Sequence, residues 1–237
     1  MKHVIIVGGS KGLGRELAQQ YAREGVTVSV FSRTINEPAE PNVCHYAVDL
    51  ADEEARRTTL AQAVENNGRL DSLIFCQRYR GQDDPWTGEL EVGLTATKDL
   101  MEKAVEHFSA TGPCSMVLVG SVAGLWIAAE QGAGYHVAKA GLETLIRYYA
   151  VKWGKLGIRV NGVSPSAFIK NESKKYHESN PQVSARMAKL TPLNRMGTSA
   201  DSAAAIRFLA GPQASFITGQ NLIVDGGLTL QLQTALG

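Results

Sequence analysis

The first eighteen residues restrict the fold more than any other stretch. His3-Val4-Ile5-Ile6-Val7 runs into Gly8-Gly9-Ser10-Lys11-Gly12-Leu13-Gly14 and then into Arg15-Glu16-Leu17-Ala18. A short run of β-formers has the pattern of a buried strand. The glycines predict a tight turn where phosphates can approach bare backbone. The residues after them predict a helix whose free N–H groups favour an anion. Strand, glycine-rich turn and helix in this order make the first half of a dinucleotide-binding βαβ unit.

The alternation continues along the chain. A helix is predicted over residues 12–24 with Gly25 ending it, then strands over 26–31 and 43–48, with Pro38 and Pro41 punctuating the loop between them. Asp52 is placed to cap a helix that reaches Gly68, and a fourth strand covers 72–76. Residues 77–88 are polar and read as a loop. A helix over 89–108, single or broken near Gly93, ends at Gly112-Pro113. Further strands are predicted over 114–119, 158–163 and 222–224. Helices are predicted over 135–153 and from Asp201 onward. Residues 165–195 differ in character, with mixed charge, Pro181 and Pro192, and read as an insertion of loop and short helices that covers the site. Strand and helix in regular alternation predict an α/β fold: a doubly wound, mainly parallel sheet with helices on both faces. Without repeats or a linker, one domain over residues 1–237 is expected.

Composition narrows the function. The 237 residues are 44% hydrophobic and 20% charged, with a formal net charge of +1, so nothing points to nucleic acid or a membrane surface as partner. Cys44, Cys76 and Cys114 lack ligand spacing and read as reduced thiols, and the five histidines show no metal pattern, so no metal is expected. The N-terminal apolar run is too short for a signal peptide, and no segment approaches the about 18 apolar residues of a membrane span. A soluble, cytoplasmic protein is the expectation.

In such a sheet ligands bind beyond the C-terminal ends of the strands. The residues there are the turn 8–14, Ser32 and Arg33, Asp49, residues 76–78, Ser121, and the chain from Pro165 onward. An acid after the second strand would bind ribose hydroxyls; Arg33, with Lys11 and Ser32, suits a 2′-phosphate and predicts NADP rather than NAD. Asp49 is placed either to accept from an adenine amino group or to cap the helix that follows. Tyr135 and Lys139 are four apart, on one helix face. An adjacent ammonium favours the phenolate and fits such a tyrosine for acid–base work. Ser121, 14 residues before Tyr135, can hold a carbonyl oxygen while the phenol protonates it.

These residues together resemble the short-chain dehydrogenase/reductase family over nearly the whole chain. The family's Thr-Gly-x-x-x-Gly-x-Gly matches Val7-Gly8-Gly9-Ser10-Lys11-Gly12-Leu13-Gly14, with valine for threonine. Its catalytic Ser, Tyr and Lys fall on Ser121, Tyr135 and Lys139. Arg159-Val160-Asn161-Gly162-Val163-Ser164-Pro165, Thr218-Gly219-Gln220 and Val224-Asp225-Gly226-Gly227 match further signatures. The resemblance implies a Rossmann sheet of seven strands in a homodimer or homotetramer. It also implies an NADP(H) site contacted by Gly8, Ser10, Lys11, Gly12, Leu13, Gly14, Ser32, Arg33, Asp49, Leu50, Cys76, Gln77, Tyr135, Lys139, Pro165, Ser166 and Phe168.

Four departures stand against this pattern. Cys76-Gln77-Arg78 replaces the family's Asn-Ala-Gly, and Gly93 replaces the asparagine that holds a proton-relay water. Pro165-Ser166 replaces Pro-Gly, and the interval from Ser121 to Tyr135 is one residue longer than is commonest. Two functions follow: an NADPH-dependent reductase of a ketone or aldehyde, or a catalytically impaired relative acting as a cofactor-binding structural or regulatory partner. The pocket wall is expected from residues 125–127, 77–80 and 168–187; Trp126, Ile127 and Phe168 predict an apolar or aromatic small-molecule substrate or, equally, pack the cover or a subunit contact. Arg78 and Arg80 hint at an anionic substrate group, or else pair with Asp83 and Asp84.

Overall fold

The computed structural model describes residues 2–35, 40–81, 83–109, 112 and 114–231; Pro38 and Pro113 lie outside them. Its strands are β1 (His3–Val7), β2 (Thr27–Ser32), β3 (Val43–Ala47), β4 (Ser72–Phe75), β5 (Cys114–Val119), β6 (Ile158–Pro165), β7 (Phe168–Ile169), β8 (Gly197–Thr198) and β9 (Asn221–Val224). Seven of them form one sheet in the order β3-β2-β1-β4-β5-β6-β9, and every pairing is parallel. From β1 the chain steps outward to β2 and β3; from β4 it steps the other way. The switch point therefore lies between β1 and β4, where a doubly wound Rossmann sheet opens its ligand crevice. β1 and β4 are buried at every residue, which explains why they read as continuous apolar runs rather than alternating ones.

The helices are α1 (Gly12–Arg23), α2 (Glu53–Asn67), α3 (Pro85–Leu90), α4 (Ala96–Ala104), α5 (Ala133–Trp153), α6 (Lys174–Ser179), α7 (Pro181–Lys189) and α8 (Ser199–Ala210). One core cluster joins the sheet to α2, α4 and α5 through Leu60, Leu100 and Leu142. The other joins its opposite face to α1 and α8 through Leu17 and Ile206. Helices thus cover both faces. Asp52 caps α2 as expected, its carboxylate accepting from the Ala55 N–H at 3.0 Å.

Three local readings change. The polar stretch before residue 88 is not all loop, because Asp84 caps α3 by accepting from the Trp86 N–H at 3.0 Å. Pro85 then supplies a first helical residue that needs no N–H partner. The break near Gly93 is a π-turn over Glu91–Thr95 that joins α3 to α4. Asp201 does not open α8; Thr198 does, with Asp201 returning a bond to the Thr198 N–H in a capping box. Short helices do occupy residues 165–195, and the pair β7–β8, unforeseen from the sequence, ties that segment's start to the entry of α8.

Candidate active site

At the end of β1 the turn is built from absent side chains. Gly8 has φ +80°, and a Cβ there would lie 2.6 Å from the backbone of Gln77, across the switch point. A Cβ on Gly14 would lie 2.4 Å from the Gly8 carbonyl oxygen. Lys11 is the exposed N-cap of α1 and gives no side-chain cap. The Gly12 N–H donates instead to Glu172 Oε1 at 2.7 Å, so this helix end already holds an anion, a carboxylate from the chain's own segment 165–195. Burial alone would raise the Glu172 carboxyl, but the Gly12 N–H and the charges of Lys170 and Arg15 hold it below the usual range.

Around this turn Ser10 is half-buried, Leu13 buried, and Arg33 exposed just beyond β2. The Ser32 hydroxyl donates to the Thr34 carbonyl at 2.7 Å. Asp49 is exposed and accepts from the Ala51 N–H at 3.0 Å, so it caps the turn before α2 while Asp52 caps the helix; Leu50 is buried beneath. Gln77 donates through Nε2 to Thr97 Oγ1 at 2.6 Å. Its Oε1 is buried with no partner among the described residues. A glycine cradle, a helix end that takes an anion and an orphaned acceptor beside them fit a dinucleotide.

The second half of the site lies beyond β5. Ser121 is extended (φ −165°, ψ 153°). Its Oγ accepts from the Ala123 N–H at 3.1 Å, which leaves its own proton out of that bond. Tyr135 and Lys139 lie on one face of α5. Lys139 is buried and its Nζ donates to the Val119 carbonyl at 2.8 Å. Burial lowers its pKa to about 8; Glu89 opposes the shift and Arg78 adds to it. Cys76 also faces Lys139, its thiol pushed up to about 12 by burial. Tyr135 lies under two cations, with Arg78 Cζ 4.6 Å and Lys139 Nζ 5.7 Å from its ring centroid. It lines a cavity of about 310 Å³ with Arg78, Tyr79, Trp86, Glu89 and Gln131.

Trp126 and Ile127 stand outside that cavity, 55% and 84% exposed. Tyr79, within the stretch 77–80 expected at the wall, lines it, together with Trp86, which was not singled out in the sequence. Phe168 is half-buried, packs on the α1/α8 side of the sheet, and carries Lys170 Nζ 5.4 Å from its centroid. Pro165 is buried at the end of β6, and the Ser166 N–H donates to Val224 at 3.3 Å. Arg78 pairs with Glu89, Nε to Oε1 3.9 Å, and donates to Gln131; Asp84 is occupied as the α3 cap. His136 was also missed. Its ring nitrogens lie 2.7 Å from Ala123 O and 3.2 Å from Ala128 O, holding the loop after Ser121 against α5. Two carbonyls brought to one ring by a fold leave no signal in a sequence.

Among the described residues no group of histidines, cysteines and carboxylates could hold a metal, and no helix is long and apolar enough to cross a membrane.

A doubly wound parallel sheet, a dinucleotide cradle and a tyrosine–lysine helix face define an oxidoreductase of the NAD(P)(H)-binding class. A family model described as enoyl-(acyl carrier protein) reductase matches residues 7–229. The chain belongs to that family, within the short-chain dehydrogenases/reductases. It is 30% identical over 250 residues to an L-rhamnose 1-dehydrogenase (NAD(P)(+)) of Sphingomonas sp., covering 98% of both chains. It is 29% identical to a probable 2,4-dienoyl-CoA reductase of Bacillus subtilis, covering 95% of this chain and 96% of that one. Among solved structures it is similar to ElxO with NADP bound, at TM-score 0.85 and 26% identity, covering 97% of this chain and 99% of that one.

Proposed function

We propose that the protein is an NADPH-dependent reductase that transfers a hydride to the ketone or aldehyde carbonyl of an apolar or aromatic small molecule. The observation that carries this reading is the shared face of α5, where buried Lys139 sits below Tyr135 and Tyr135 opens onto a cavity walled by Trp86 and Tyr79. The turn at the end of β1 would hold the phosphates of NADPH, and its dihydronicotinamide would supply the hydride. Ser121 donates a hydrogen bond to the carbonyl oxygen and orients it, keeping its own proton. Tyr135 gives that oxygen its proton as the carbon accepts the hydride pair, so carbonyl, hydride and proton become an alcohol. Lys139 holds positive charge beneath the phenol and offers its remaining N–H donors to the cofactor. The same arrangement runs the reverse oxidation.

Lys11 and Arg33, both exposed, with an arginine rather than an acid directly after β2, support NADP(H) over NAD(H). We read residues 1–237 as one Rossmann-type domain in which residues 165–195 cover the substrate. We read it as a soluble, cytoplasmic protein, and a homodimer or homotetramer is supported by the exposed apolar residues Tyr148 and Val151 on α5 and Phe216, Leu222 and Ile223 near β9.

The test is NADPH consumption against a panel of carbonyl compounds that includes aromatic ketones. Tyr135→Phe is expected to lower kcat by about 10²-fold or more while NADPH still binds. NADPH binding with no turnover of any carbonyl, unchanged by Tyr135→Phe, would instead make the chain a cofactor-binding partner.

A further inference from the structure

The reduction leaves Tyr135 without its proton, and each turnover must restore it. Lys139 is buried, so it needs a supplier of its own. The supplier's place in the helix before it is bare: Gly93 carries no side chain. A Cβ built on Gly93 would lie 3.4 Å from the Ala138 Cβ, next to Lys139 in sequence, and 4.0 Å from Glu89 Oε2. The Glu89 carboxylate thus reaches from one turn earlier over the bare Gly93 Cα.

The position of Glu89 is built, not incidental. The start of α3 packs so closely on α5 that a Cβ on Gly134 would lie 2.9 Å from the Trp86 Cα. The residue is 8% exposed, yet its carboxylate shares the 310 Å³ cavity with Tyr135. A water takes about 30 Å³, so the cavity has room for water between the two groups. The groups facing Glu89 are Arg78 and Arg80 from the loop after β4 and Lys139 from α5. Arg78 Nε stands 3.9 Å from Oε1, an ion-pair separation but too long for a hydrogen bond. One cation therefore steadies the carboxylate without closing its lone pairs to water.

We propose that Glu89 is the positioning residue that returns the proton to Tyr135 by way of Lys139, and this rests on the reductase reading above. After the phenol O–H bond breaks toward the substrate oxygen, the phenolate draws a proton through hydrogen-bonded groups from the Lys139 ammonium. The resulting amine takes one from a cavity water held by the Glu89 carboxylate, and the hydroxide left behind takes one from solvent. Only protons move, and the sum is one proton from solvent per alcohol formed. Burial supports the exchange. It lowers Lys139 and so eases the loss of its proton, while the facing Glu89 charge opposes that shift and helps the proton return.

The test is steady-state reduction with NADPH by Glu89→Gln, Glu89→Asp and Tyr135→Phe. Glu89→Gln is expected to lower kcat about 10- to 100-fold, with the KM for NADPH unchanged within about twofold. Loss of the negative charge facing Lys139 should also move the basic limb of the kcat profile to lower pH. Glu89→Asp is expected to recover part of both. Stability should not fall, because a carboxyl raised by the fold loses its contribution as pH rises through its folded value, and the amide carries no such penalty. Wild-type kcat and pH limb in Glu89→Gln, beside an inactive Tyr135→Phe, would overturn the relay alone. A lower melting temperature with raised KM in both Glu89 variants would overturn it in favour of a structural role. Full activity in Tyr135→Phe would overturn the reductase reading itself.

Discussion

β1 and β4 are neighbours in the sheet, and the chain leaves them by opposite means. After β1 it turns through Gly8, Gly9 and Gly12, and its contacts are made by backbone. After β4 it turns through Cys76, Gln77 and Arg78, and the contacts are made by side chains. Gln77 reaches Thr97, Arg78 covers the Tyr135 ring, and Cys76 faces Lys139. Where an added Cβ would lie 2.6 Å from neighbouring backbone no side chain can be substituted, so the turn needs its glycine at Gly8. Where side chains brace a site, other side chains of suitable reach can rebuild it. Glu89 over Gly93 is one such rebuilding, and the departures from the family pattern gather on this side of the crevice.

That contrast can be attacked from the β1 side, where the largest effect is expected. Gly8→Ala combines a positive φ with a backbone overlap against Gln77. It should lower stability by about 2 kcal/mol or more and weaken NADPH binding at least about 100-fold, as read by denaturant melts and cofactor titration. Retention of tight binding would show that the turn is as adaptable as its neighbour. A smaller effect is expected at the side-chain contact nearest this turn. Arg33→Ala should reduce the preference for NADPH over NADH about 10-fold in kcat/KM, the worth of roughly one charge-assisted hydrogen bond. An unchanged preference would remove the 2′-phosphate from Arg33.

The smallest effect sharpens the comparison. Glu172 occupies the Gly12 N–H, so a bound phosphate must displace it. Glu172→Gln removes a competing charge and should tighten NADPH binding a few-fold. An unchanged dissociation constant in isothermal titration would mean that the cover leaves this turn without cost.

Much of this was legible in one dimension. Continuous apolar strands, helix caps such as Asp52 and the four-residue spacing of Tyr135 and Lys139 follow from local geometry, which a sequence carries directly. Asp84-Pro85 was legible too, as a cap and a first helical residue, but it was masked by the polar residues around it. The wall of the cavity at Tyr135 was legible only in part, through Tyr79. Trp126 and Ile127 have the right chemistry and lie in the expected loop, yet the loop turns them to solvent and α3 brings Trp86 in their place.

By itself, then, the sequence determined the parallel sheet, its glycine-built turn and the shared helix face of Tyr135 and Lys139, because each depends on neighbours within a few residues or on strand order. Only the tertiary structure decided that Glu89 stands over Gly93, that Arg78 lies on Tyr135 and that Glu172 fills the turn at Gly12. The last of these joins residues 160 positions apart. Such contacts depend on how α3 and the cover dock on the sheet, and side chains of ordinary character leave no pattern that foretells it.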